Sequence, residues 1–238
     1  MSRVAVVTGA TGSIGTAITR QLGADGWTVI SGDIAPPEYA IDHPHYVPLD
    51  VTSDDSVREL FQQATRLGEL GALVCNQGIL KRATAGSYDG ELVQQTLDVN
   101  LKGTLRLLNA ATDHLADNGA VVQISSVTAS TGAIQGSYVY QATKAGIEQL
   151  TRFFAVALGP RGIRVNCVAP GMMAQAMRGD GLSVRTAQGN SAPGRRSNPL
   201  GRPVEANEVA EAVTFLCSSR ASGISGVVLP VDCGFLAS

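Results

Sequence analysis

The sequence predicts a doubly wound α/β fold, one parallel sheet of about seven strands with helices on both faces. Three observations predict it. Short β-branched apolar runs alternate with longer stretches of helical period, the order expected of strand–helix–strand units. Most of those runs are apolar throughout rather than alternating, as strands covered on both faces are. The 238 residues, 44% of them hydrophobic and 16% charged, suffice for one large core in a single domain over 1–238 and are marginal for two.

Val4–Val7 opens the sheet as an unbroken apolar run that stops at Thr8-Gly9. Ser13–Gly23 follows with apolar residues three and four apart, the spacing of one buried helix face. Thr28–Ser31 is the next strand. Between Asp33 and His45 only a loop fits, because Pro36-Pro37 opposes a crossover helix. His45–Pro48 is a third strand and Ser53–Arg66 a second helix. Ala72–Cys75 precedes a long helical stretch, Tyr88–Ala116, and Ala120–Ile124 precedes another, Ser137–Leu158. Arg164–Val168 and Val227–Val231 complete the strands, with Glu205–Cys217 helical between them. Gly171–Leu200 breaks the rhythm. Its Gly, Ser, Asn and Pro interleave with Arg178, Arg185, Arg195 and Arg196, which reads as a lid over a site.

Composition excludes several classes of function. A net charge of −2 and a pI near 5.9 give no electrostatic footprint for nucleic acid. No apolar stretch reaches the ~18 residues that would span a bilayer, and the strand at Val4 leaves no room for a signal peptide. Cys75, Cys167, Cys217 and Cys233 lie far apart without a C-x-x-C pair, as reduced thiols of a cytoplasmic protein do. His43, His45 and His114 have no neighbours at metal-ligand spacing and read as loop or surface residues, so no metal is expected.

Thr8-Gly9-Ala10-Thr11-Gly12-Ser13-Ile14-Gly15 joins the first strand to the first helix. There a dinucleotide pyrophosphate rests on free N–H groups at the positive end of the helix dipole, as in a Rossmann-type domain. Asp33 ends the second strand, where a carboxylate accepts from the adenosine ribose hydroxyls and repels a 2′-phosphate. No Lys or Arg in the glycine loop or beside Asp33 offsets that repulsion, so NAD is expected over NADP.

Tyr140 and Lys144 stand four apart in a predicted helix, which brings their Cβ atoms to about 6 Å. A neighbouring ammonium favours phenolate and would draw the tyrosine toward a working pH for proton transfer. Tyr138 serves as a control, since Ala142 follows it where a lysine would be needed. Ser125 and Ser126 end an apolar run at the carboxyl edge of a strand, and either hydroxyl could bind a substrate oxygen.

Together these motifs resemble the classical short-chain dehydrogenase/reductase family from Val4 to Gly234, apart from Gly171–Leu200. The resemblance implies a catalytic tetrad of Asn100, Ser126, Tyr140 and Lys144. Tyr140 would exchange a proton with the substrate oxygen while hydride moves between carbinol carbon and nicotinamide. Ser126 would orient that oxygen, Lys144 would hold the nicotinamide ribose, and Asn100 would support a proton-relaying water. For the cofactor it implies Gly9, Gly12, Ser13, Ile14, Gly15, Asp33, Asp50, Val51, Asn76, Gly78, Tyr140, Lys144, Pro170 and Gly171. It further implies an alcohol or ketone substrate and a homo-oligomer, tetramer or dimer, paired through the long helices Tyr88–Ala116 and Ser137–Leu158.

The chain departs from the family pattern at four places. Ser13 falls on the middle glycine, Cys75-Asn76-Gln77-Gly78 replaces Asn-Asn-Ala-Gly, and Gln175 stands where a threonine often follows Pro-Gly. Alternatives within enzymes are a 3-oxoacyl-carrier-protein reductase, with lid arginines docking the carrier, and a cyclic dihydrodiol dehydrogenase, suggested by the short connection after Asp33. A non-enzymatic NAD-binding redox sensor is the alternative from another class.

Overall fold

Arg3–Thr8 (β1) buries every residue after Arg3, with Val4 and Val6 entering one core and Ala5 and Val7 the other. A strand covered on both faces has to be apolar at every position, which is why its sequence does not alternate. In this computed structural model, which describes residues 3–38, 42–82, 86, 88–131, 138–174 and 198–238, the other strands join β1 in parallel. They are Thr28–Asp33 (β2), His45–Pro48 (β3), Glu69–Cys75 (β4), Leu115–Ile124 (β5), Arg164–Pro170 (β6) and Val228–Val231 (β7). Their order is β3-β2-β1-β4-β5-β6-β7, so the direction of winding reverses between β1 and β4.

Ser13–Ala24 (α1) and Ala206–Cys217 (α6) cover one face through Ile18, Leu22, Val209, Val213 and Leu216. Asp54–Leu67 (α2), Gly103–His114 (α4) and Tyr138–Leu158 (α5) cover the other through Leu60, Phe61, Leu107, Leu108 and Phe154. Side chains terminate several helices. The Ser53 hydroxyl accepts from Ser56 N to start α2, and Glu205 and Glu208 form a reciprocal capping box at α6.

The long helix expected over Tyr88–Ala116 is instead two helices in line. Gly90–Leu97 (α3) begins at an Asp89 cap, Asp98–Lys102 forms a π-helical turn, and α4 ends at His114. Ala116 belongs to β5, whose register against β4 carries a bulge between Leu115 and Ala120. Apolar spacing runs through the π turn almost unchanged, which is why periodicity alone joined the two helices. His43 lies in the connection between β2 and β3, as read for a loop residue, but is buried there against Ser31 rather than at the surface. Ser137 and residues 175–197 of the expected lid lie outside the described residues. Among the described residues no helix is long and apolar enough to cross a membrane, and no group of His, Cys, Asp and Glu is placed to hold a metal ion.

Candidate active site

The carboxyl ends of β1 and β4, where winding reverses, carry the glycine loop and the Asn76–Ile79 segment side by side. Such a switch point is where open α/β sheets bind ligands. Gly9 has φ +60, and a Cβ there would lie 2.8 Å from the Gln77 backbone. A Cβ on Gly15 would lie 2.2 Å from the Gly9 carbonyl, so this turn closes only with glycine at both positions. Gly12 is the N-cap of α1 without a side-chain cap, and Ser13 beside it is exposed. Ser13 and Ile14 thus open the helix, where the first backbone N–H groups have no intrahelical partner and no side chain caps them.

Asp33 braces this loop. Its Oδ2 accepts from Thr11 N at 3.0 Å and its Oδ1 from Ala35 N at 3.2 Å, which fixes the carboxylate at the rim of the switch point. Asn76 Nδ2 donates to the Gly9 carbonyl at 2.8 Å from the opposite side. Asp50 follows β3 and holds its own turn through Thr52, while Val51 is buried against Gly103. Pro170 ends β6, and Gly171 passes so close to Asp232 that a Cβ would meet its Cα at 2.7 Å.

The four expected tetrad residues come from three elements. Asn100 is fully buried in the π turn, where its side chain reads the backbone of Ile79 like a strand partner. Oδ1 accepts from Ile79 N at 2.8 Å, and Nδ2 donates to Ile79 O at 2.9 Å and Thr143 Oγ1 at 3.2 Å. Lys144 is buried in α5, with Nζ donating to the Ile124 carbonyl at 2.7 Å and lying 5.5 Å from the Tyr140 ring centre. A Cβ on Gly78 would stand 3.5 Å from both Lys144 Nζ and Asn100 Oδ1, so Gly78 lines the space between them.

The two serines separate. Ser125 is buried and its hydroxyl faces the Lys144 carbonyl and Glu148, at 3.1 and 3.0 Å. Ser126 is half-buried and hydrogen-bonds Tyr140. Thr128 donates to Ser126 Oγ from both its amide and its hydroxyl, at 3.3 and 3.0 Å, which leaves the serine's own proton for the tyrosine oxygen. Tyr138, the control, is 40% exposed at the start of α5, against 8% for Tyr140.

Electrostatics differ from the expectation drawn from spacing. Burial pushes the Tyr140 phenol up to about 12, opposed by the Ser126 hydrogen bond. Burial pushes Lys144 down to about 8, opposed by Cys167 and Cys75. Ser126 therefore favours phenolate against the opposing effect of burial. The interaction of Gln77 with Thr8 and Thr104 was not foreseen from sequence, although Gln77 stood out there as a departure.

A family model described as Enoyl-(Acyl carrier protein) reductase matches residues 9–236. A cis-4-hydroxycyclohexanecarboxylate dehydrogenase of Sinomonas cyclohexanicum is 37% identical over 248 residues, covering 99% of this chain and 97% of that protein. A 3-oxoacyl-(acyl-carrier-protein) reductase of Thermotoga maritima is 30% identical over 246 residues, covering 98% of each. A solved short chain dehydrogenase/reductase family protein superposes with a TM-score of 0.85 at 33% identity, covering 99% of this chain and 97% of that one. With the parallel sheet and the glycine turn at its switch point, these likenesses show that the chain belongs to the short-chain dehydrogenase/reductase family and is an oxidoreductase acting on alcohols and ketones.

Proposed function

We propose that the chain is a single dinucleotide-binding domain that oxidises a secondary alcohol on an alicyclic ring, or reduces the matching ketone, with NAD as cofactor. The observation that carries the reading is the convergence of Ser126 and Tyr140 beside buried Lys144 at the carboxyl edge of β5. The glycine turn, Asp33 and Asn76 fit a dinucleotide, because backbone close approach and free N–H groups stand where phosphates need them. Gly9, Gly12, Ser13, Ile14 and Gly15 would hold the pyrophosphate, and Asp33 the adenosine ribose. Asp50, Val51, Asn76 and Gly78 would line the adenine and central part, and Pro170 and Gly171 the nicotinamide side. When bound, the nicotinamide supplies or accepts the hydride.

Tyr140 holds the exchangeable proton at Oη and passes it to or from the substrate oxygen. Ser126 donates a hydrogen bond to that same locus, which favours negative charge on the oxygen in transit. Lys144 places its ammonium beside the Tyr140 ring, and Asn100 fixes the Ile79 backbone next to it. The alicyclic substrate is suggested by the name of the Sinomonas cyclohexanicum relative. Assembly as a dimer or tetramer is part of the same reading.

Tyr140→Phe tests it. Assayed on cyclohexanol, cis-4-hydroxycyclohexanecarboxylate and a 3-oxoacyl thioester of N-acetylcysteamine, the variant loses turnover by about a thousandfold while binding NADH as before. Retained turnover overturns the assignment. Preference for the thioester would favour the carrier-linked alternative, and NADH binding without turnover by the unaltered chain would favour the sensor.

A further inference from the structure

Gln77 stands where the family pattern has alanine, yet it is buried and both ends of its amide are engaged. Oε1 accepts from the Thr8 hydroxyl at the end of β1 at 2.5 Å, and Nε2 donates to the Thr104 hydroxyl of α4 at 2.9 Å. Thr104 has one proton to give. It goes to the carbonyl of Asn100, 2.7 Å away. On the other branch the Thr8 hydroxyl accepts from Asn76 N at 3.2 Å.

The ladder of β4 ends at Cys75, so the segment beyond it has no strand partner and depends on side chains for its place. That short segment carries Asn76 on the Gly9 carbonyl, Gly78 facing Lys144 and Ile79 clasped by Asn100. An alanine at 77 supplies none of the bonds to Thr8 and Thr104.

We propose that Gln77 is a positioning residue, whose amide sets the Asn76–Ile79 segment against both the dinucleotide turn and the Asn100 carbonyl. It rests on the reading of Asn100, Tyr140 and Lys144 as the reaction site. The Thr8 branch serves cofactor binding, and the Thr104 branch serves the geometry around Asn100.

The test compares Gln77→Ala, Gln77→Met, Thr104→Val, Thr104→Ser and Q77A/T104V in the full chain. NADH affinity is read by fluorescence titration, and kcat and KM on whichever panel alcohol the unaltered chain oxidises fastest. Both Gln77 variants should weaken NADH binding and lower kcat by about tenfold each, with KM for the alcohol near its original value. Thr104→Val should lower kcat by about tenfold with NADH affinity kept, Thr104→Ser should restore it, and Q77A/T104V should be no slower than Gln77→Ala. A lowered thermal midpoint with unchanged NADH affinity and kcat per folded site overturns the proposal, as do effects that multiply in the double variant. If the Gln77 variants do not fold, unchanged kcat in Thr104→Val overturns it. Turnover surviving Tyr140→Phe would remove the site reading itself, whereas a dead Tyr140→Phe with unaffected Gln77 and Thr104 variants removes this inference alone.

Discussion

Lys144 carries a charge that its surroundings oppose. Buried on α5 and pushed down to about 8, it makes the folded state hold fewer protons than the unfolded chain between pH 8 and the usual lysine value of 10.5. Folding stability therefore rises with pH across that window, and the full penalty is present below it. Lys144→Met is expected to lose this pH dependence, so that its stability relative to the unaltered chain is greatest at pH 7 and declines toward pH 10. Urea denaturation at a series of pH values checks this, and a gap that widens with pH would reverse the sign. Asp33 is the second residue whose charge carries a prediction. Asp33→Asn keeps an acceptor for one of the two backbone amides that the carboxylate braces, but removes the charge proposed to repel a 2′-phosphate. The ratio of NADPH to NADH dissociation constants should fall by about tenfold in this variant. Comparable affinities in the unaltered chain would remove the role given to Asp33.

The π turn at Asp98–Lys102 inserts one residue between α3 and α4 and turns Asn100 onto Ile79. Deleting Val99 should restore regular α-helix through this stretch. The expected outcome is an unchanged circular dichroism spectrum with turnover lower by about a hundredfold, because Asn100 no longer meets the Ile79 backbone. An active deletion variant would show the π turn to be incidental. The same turn marks where sequence reading stopped. All seven strands and the helices around them were legible, because apolar runs and three-to-four spacing report burial directly. A π turn leaves that spacing nearly intact, so Tyr88–Ala116 read as one helix. The glycine loop, Asp33, Tyr140 and Lys144 could be singled out because each sits in a compact motif, whereas Asn100, and Ser126 over Ser125, were named only through the family resemblance, and the roles of all six belong to the proposed function. The choice between Ser125 and Ser126 was not legible from the residues alone, since it depends on which hydroxyl faces Glu148 and which faces Tyr140. Nor was the joint role of Thr8, Gln77 and Thr104, which are adjacent only after β1, β4 and α4 have packed.

At the scale of the molecule, α5 buries one face on the sheet and leaves Phe153 and Val156 exposed, at 62% and 80%. Large apolar side chains at this exposure are what a helix paired across subunits presents. A double change, Phe153→Glu with Val156→Glu, should shift sedimentation from dimer or tetramer to monomer at micromolar concentration while the circular dichroism spectrum stays the same. A chain that sediments as a monomer before the change would refute the pairing. The strand order has a consequence of its own for how the polypeptide is made. β1 pairs with β2 on one side at once, but its other edge waits until residue 69 and beyond have been synthesised, and β5 waits in turn for β6. Growing chains therefore carry long, apolar, unpaired edges that the finished sheet hides, and slower translation at low temperature should raise the soluble yield by limiting how many such edges meet.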